Sequence, residues 1–170
     1  MPEQDTEDVA GLVASLDVSL VDAQPYHVVQ AALKHFGGRL SVAFSGAEDV
    51  VLIDLVSQLG GKARYFCLDT GRLHAETYAY LQKVRDHYGI ELELMFPQAT
   101  AVQSLVQRKG LFSFRADGHK ECCGIRKVEP LRRALADTDA WMTGQRRDQS
   151  PDTRAEVPLV QLDTAFGSRA

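Results

Sequence analysis

Short apolar runs recur along the chain, each followed by a turn of small or polar residues and then by an apolar stripe of helical period. Residues 39–44 (RLSVAF) read as a buried strand, Ser45-Gly46-Ala47 as a small-residue turn, and 48–59 as a helix. Val51, Leu52, Leu55, Val56 and Leu59 lie on one side of that helix, and Gly60-Gly61 ends it. The pattern repeats with a strand over 63–68, the turn Asp69-Thr70-Gly71, an amphipathic helix over 77–88 stopped by Gly89, and a strand over 90–96. Residues 98–110 predict a further helix and 111–120 a loop. Residues 121–135 predict a helix whose pattern Pro130 interrupts, because proline lacks a backbone N–H and crowds the preceding turn. Residues 140–143 predict a fourth strand, 144–154 an irregular polar stretch, and 157–162 a last short strand.

Upstream, Val9, Leu12, Val13 and Leu16 fall at helical spacing within an acidic, polar start, and 25–36 reads as a helix opened by Pro25 and closed by Gly37-Gly38. Strands alternating with helices predict an α/β class with a mostly parallel sheet and flanking helices. The expected organisation is an N-terminal arm or helix over 1–22 and one α/β domain over 23–170.

Composition narrows this picture. At 170 residues, 45% hydrophobic and 25% charged, the chain has the make-up of one globular domain with a sizeable core. The net charge of −4 is uneven: residues 1–33 hold six acids and no Lys or Arg. The remainder is only slightly basic, which argues against a nucleic-acid footprint yet permits a local anion pocket. No run reaches the length of a membrane span, and the acidic start resembles neither a secretory signal nor a transit peptide. Three cysteines make an odd count with no disulfide framework, which fits a reducing cytoplasm.

Four stretches carry candidate chemistry. Ser45 and Gly46 begin a strand-to-helix turn whose free N–H groups and hydroxyl suit an anion, although Glu48 and Asp49 oppose one; an ordinary tight turn is the other reading. Leu68, Asp69 and Thr70 follow the second strand, at the sheet edge where open parallel sheets bind ligands; plain turn chemistry is the alternative. Cys122 and Cys123 are adjacent, a spacing that suits neighbouring irons of a cluster better than one zinc; the plain reading is two small helix residues. Cys67 lies in an apolar strand run and reads as core. Lys127, with Arg126, Arg146, Arg147 and Arg154, supplies cations beside these elements, whereas Arg132 and Arg133 read as a solvated face. The five histidines show no zinc spacing, and His74 and His119 stand near candidate loops.

Taken together, AFSGAEDV at 43–50, LDTGRLHAETY at 68–78, GLFSFRADGHKECCGIRKVEPL at 110–131 and TGQRRDQSPDTR at 143–154 resemble the assimilatory sulfonucleotide reductases, specifically the adenylyl sulfate (APS) reductases. The resemblance covers about residues 30–165, and CCGIRKVEPL is its most specific segment. It implies an adenine-nucleotide α-hydrolase-like fold with a modified PP-loop, C-terminally truncated here. It implies thioredoxin-dependent reduction of APS to sulfite and AMP, in sulfate assimilation toward cysteine, in the cytoplasm. It also implies substrate contacts at Ser45, Gly46, Leu68, Thr70, Lys127, Gly144 and Arg154. Cys122 and Cys123 match the first two ligands of a 4Fe–4S cluster.

The pattern departs from the family in one large respect. The family's second cysteine pair and its C-terminal nucleophilic cysteine have no counterpart among Cys67, Cys122 and Cys123. The chain alone is therefore expected to be catalytically inactive, with an incomplete cluster ligand set, and a homo-oligomer is compatible with it. Two other readings stand beside this one. The chain is a nucleotide-binding module without turnover, or it is a PP-loop ATP pyrophosphatase. The second is disfavoured by Ala47 and Val50, where the usual SGGxDS signature has Gly and Ser.

Overall fold

The computed structural model describes residues 3–116, 118–149 and 157–166, with backbone alone for 3–8 and 116. Two helices lead in, α1 over Glu3–Ser19 and α2 over Pro25–Phe36. The expected alternation follows: β1 Leu40–Ala43, α3 Val50–Gln58, β2 Arg64–Leu68, α4 Ala75–Tyr88, β3 Leu92–Met95 and α5 Ala99–Lys109. The strands form one parallel sheet in the order β3-β2-β1-β4, with β4 at Ala140–Thr143. The α/β expectation therefore holds. Because β2 and β4 flank β1 on opposite sides, the strand order reverses at β1, and the carboxyl ends of β1 and β4 meet at the switch point.

Side chains alternate across the strands and divide the core in two. Val42, Phe44, Tyr65 and Cys67 face Val29, Ile53, Val56, Leu81 and Val84 of α2, α3 and α4. On the opposite face Phe66 packs with Ala134 and Leu135 of helix α8, Glu129–Leu135. Both faces are thus buried, which explains why the strands read as apolar runs without polar alternation. α1 contributes the buried Leu16, and Leu20, just past its end, is buried as well.

Two differences from expectation have local causes. Residues 111–120 hold a short helix, α6 Ser113–Ala116, and a further helix, α7, starts at Lys120. Residues 157–162 form no strand and are irregular, with a bend at 159–160. Pro158 lacks a ladder donor. The segment is held by side chains instead: Arg147 Nε donates to the Val157 carbonyl at 3.1 Å, and Trp141 Nε1 donates to Asp163 at 3.0 Å.

Arg64 joins β2 to its neighbours. Its Nε and Nη2 donate to the two carboxylate oxygens of Glu93 at 2.6 and 2.7 Å, and its Nη1 donates to the Ala134 carbonyl at 2.6 Å. The Arg64 hydrogen bonds hold the Glu93 carboxyl below its ordinary range, against the opposing effect of burial. A carboxylate lowered in the native state stabilises the fold above its unfolded pKa of about 4.3, and that contribution disappears as pH falls through the folded value. Both side chains are half-exposed, so the effect should not exceed about 1 kcal/mol. Melting temperatures of Glu93→Gln should therefore fall less steeply than wild type on acidification. Parallel acid limbs would show the pair to be neutral.

Candidate functional site at the switch point

The chain leaves β1 through Ser45 and Gly46, makes one 3-10 turn at Ala47–Asp49, and enters α3. Asp49 is 5% exposed and folds back onto this turn. Its Oδ2 accepts from Ser45 N at 2.7 Å, Ser45 Oγ at 2.8 Å and Gly46 N at 2.9 Å. The donors that an anion would seek are thus met by the chain's own carboxylate. From α4, Tyr80 stacks on Phe44 at 5.9 Å and donates to the Ala47 carbonyl at 3.0 Å. A cavity of about 520 Å³ opens beside the turn, lined by Ser45, Gly46 and Ala47 together with Cys67, Thr77 and Tyr80. Its size lies within the range of small-molecule sites. Burial, with the nearby carboxylates of Asp69 and Asp49, pushes the Cys67 thiol up to about 11, so this cysteine is core and holds its proton at neutral pH.

The β4 end meets the same turn. Gly144 lies so close that a Cβ built on it would overlap Asp49 Oδ1 and lie 2.9 Å from its Cγ. Arg146 reaches Glu48 at 2.8 Å and Asp148 at 3.4 Å, so this cation is engaged in ion pairs within the loops.

After β2, Asp69 is fully buried and shapes the next turn. Its Oδ1 accepts from Gly71 N and its Oδ2 from the Tyr78 hydroxyl, both at 2.7 Å. Gly71 has φ +72°, a left-handed value that suits glycine. Leu68 pairs with Met95 across the sheet, and the half-buried Thr70 follows in the turn.

The cysteine segment packs against this second turn through one residue. α7 covers Lys120–Cys123, and the helix widens into π geometry over Gly124–Val128 before α8. The Glu129 N–H donates five residues back to the Gly124 carbonyl. The wider turn absorbs Pro130, which lacks the N–H an α-helix would need there. The widening also turns Arg126 inward. It is 7% exposed, and its Nη1 donates to the Thr70 carbonyl at 2.6 Å, while its buried Nε has no partner.

The fold therefore brings Ser45, Gly46 and Gly144 together through Asp49, and joins Thr70 to the Cys122 and Cys123 segment through Arg126. Lys127 is exposed beside that segment. Arg154 lies outside the described residues. Asp49, Asp69 and Arg126 are the organising residues: the sequence pattern marks Asp49 as opposing an anion, Asp69 as a turn residue and Arg126 as one of several cations, and does not show that they hold these turns in place. The cue at Asp49 was visible as an acid in the first turn of a helix. A four-iron cluster takes four cysteine ligands, and the described residues offer two half-buried thiols at Cys122 and Cys123. No group of three or more His, Cys, Asp or Glu in ligating positions occurs among the described residues, so they do not make a complete cluster site. No helix among them is long and apolar enough to cross a membrane.

A parallel sheet that reverses at β1, with loops from β1, β2 and β4 gathered at one edge, defines a doubly wound α/β domain with its ligand edge at the switch point. Within that class, the chain belongs to the phosphoadenosine phosphosulfate reductase domain family, whose description matches residues 39–169. It is 53% identical over 154 residues to an adenosine 5'-phosphosulfate reductase of Pseudomonas aeruginosa, a match covering 91% of this chain and 58% of that protein. It is 56% identical over 147 residues to the chloroplastic 5'-adenylylsulfate reductase 3 of Arabidopsis thaliana, covering 86% of this chain and 32% of that protein. Among solved structures, phosphoadenylyl-sulfate (PAPS) reductase from Candida auris, in a phosphate complex, superposes with a TM-score of 0.67 at 22% identity, covering 89% of this chain and 72% of that one. That likeness shows the fold. The chain thus spans about three fifths of the bacterial relative and one third of the plant one.

Proposed function

We propose that this chain is the sulfonucleotide-binding portion of an adenylyl sulfate reductase, and that by itself it binds adenylyl sulfate or AMP without turnover. The observation supporting this reading is the hydrogen bond from Arg126 to the Thr70 carbonyl, which links the turn after β2 to the segment bearing Cys122 and Cys123. The identity to proteins named for this activity supports it. In the proposed site, Ser45, Gly46, Leu68, Thr70 and Gly144 line the nucleotide edge, with Lys127 and Arg154 facing the anionic end.

In the complete reaction a cysteine thiolate attacks the sulfate sulfur, the S–O bond to AMP breaks, and an S-sulfocysteine forms. The dithiol of thioredoxin then releases sulfite and becomes a disulfide. The chain's own thiols do not fill the nucleophile's role. Cys67 is buried and keeps its proton, and Cys122 and Cys123 are read in this proposal as metal ligands. These two are proposed as half of the ligand set of a 4Fe–4S cluster, the others coming from elsewhere. A reducing compartment such as the cytoplasm suits this chemistry; the plant relatives are named as chloroplastic.

Calorimetric titration of the 170-residue chain with AMP and with adenylyl sulfate should show saturable binding of both. Assays with adenylyl sulfate and reduced thioredoxin should show no sustained sulfite release. Heat-silent titrations would remove the nucleotide reading, and steady sulfite production would remove the binding-only one.

A further inference from the structure

We propose that Asp49 is a positioning residue which, with Gly144, forms a clasp across the switch point and presets the turn after β1. The role of Gly144 is then to admit Asp49, and it need not touch a ligand. The clasp rests on geometry alone; its consequence for nucleotide affinity rests on the function proposed above.

Three observations carry this inference. First, one carboxylate oxygen gathers three donors from two consecutive residues, Ser45 N, Ser45 Oγ and Gly46 N, all within 2.9 Å. Hydrogen bonds to an ionised acceptor are the stronger kind, and three on one oxygen leave the turn a single conformation. Second, Asp49 is 5% exposed, so its charge is withdrawn from water and depends on those donors. Third, its other oxygen, Oδ1, abuts Gly144, where the place of a Cβ is already taken. The Cα of Asp49 lies 3.5 Å from that same point, so backbone as well as side chain closes the gap. Any side chain at 144 would push the β4 loop off the β1 turn. The outer ion pair from Arg146 to Glu48 spans the same two loops but is exposed to solvent, which leaves the buried contact as the stronger constraint.

A turn fixed in this way presents its remaining groups to a ligand without first having to order them, and preorganisation of this kind raises affinity. The clasp also couples two segments almost a hundred residues apart in the chain. A ligand lying along the β1 and β4 ends therefore meets one rigid edge.

The test compares the wild-type chain with Asp49→Asn, Gly144→Ala and the double variant, using amide hydrogen exchange by NMR and calorimetry with AMP. The amides of Ser45 and Gly46 should be slow to exchange in the wild type and at least ~10-fold faster in each single variant, the scale set by exchanging a charge-assisted bond for a neutral or broken one. AMP affinity should fall ~10-fold in each. The double variant should be little worse than the poorer single one, because both changes open the same contact. Ser41→Ala is the control. Ser41 bonds Thr138 at 2.8 Å on β1, away from the turn. This variant should melt earlier while leaving both readouts unchanged. Should either clasp variant fail to fold, Ser45→Ala removes one of the three donors and must still speed exchange of the Gly46 amide.

Unchanged protection in Asp49→Asn would overturn the clasp, as would additive effects or an equal response from Ser41→Ala. Tighter AMP binding by Asp49→Asn would show that the carboxylate is a plug to be displaced. If the wild type binds no AMP yet the exchange pattern holds, the clasp stands and the proposed function falls.

Discussion

Truncating Phe66 to alanine is expected to cost about 3–5 kcal/mol, a large share of the roughly 5–15 kcal/mol that holds a domain together. Phe66 is 1% exposed at the middle of β2 and packs with Ala134 and Leu135. Leu68, Met95, Leu131 and Trp141 pack against that group, so removing the ring leaves a void in a close-packed cluster. The backbone there is committed as well, since the Phe66 carbonyl accepts from Phe44 N at 2.8 Å. A cavity at this point detaches α8 from the sheet, and α8 follows directly on the cysteine segment. The melting temperature should drop by roughly 6–20 °C in a domain of this size. Val51→Ala on α3, where the side chain is 52% exposed, should change stability by no more than about 0.5 kcal/mol. Equal drops in the two variants would refute this placement of the core.

Arg126→Met is expected to separate stability from binding. Arg126 is buried, takes part in no ion pair among the described residues, and leaves its Nε without a partner. Burying an uncompensated cation costs several kcal/mol, whereas its bond to the Thr70 carbonyl returns about 1.5–3 kcal/mol. Methionine of similar length removes both, so the melting temperature should stay or rise. Affinity for AMP should fall at least ~10-fold, because the Thr70 turn loses its tether and the site loses a fixed positive charge. A buried cation that the fold does not require fits a functional residue that carries a stability cost. A variant that binds AMP as tightly as wild type would reduce Arg126 to a packing residue. One that also melts far earlier would show that the tether carries structural load.

Much of this architecture was legible before any coordinates. The apolar runs at 39–44 and 63–68 mark β1 and β2, because central strands buried on both faces have little that is polar to alternate, and 140–143 marks the half-buried edge strand β4. Gly60 and Gly89 end their helices where positive φ is needed. The failure at 157–162 is equally instructive. Val157, Leu159, Val160 and Leu162 satisfy a strand pattern, yet they form irregular chain with a bend at 159–160, beside Pro158 and the bond from Trp141 to Asp163. Apolar content reports burial, whereas strand formation also needs a free ladder edge.

At the site the division is sharper. Sequence placed Ser45, Gly46, Leu68, Thr70 and Gly144 in turns after strands, and placed Cys122, Cys123 and Lys127 on one helical segment, because turn chemistry and helical period are local properties. It could also place Glu48 and Asp49 in a first helical turn, where acids suit the helix dipole. The return of Asp49 onto Ser45 and Gly46 spans only three and four residues and is a local capping arrangement. Only the tertiary structure decided that Gly144 yields Asp49 room and that Arg126 spans from the widened helix to the Thr70 carbonyl. The Gly144 and Arg126 contacts join residues far apart in the chain, whose proximity depends on how the strands are ordered and packed across the whole sheet, beyond the reach of any local pattern.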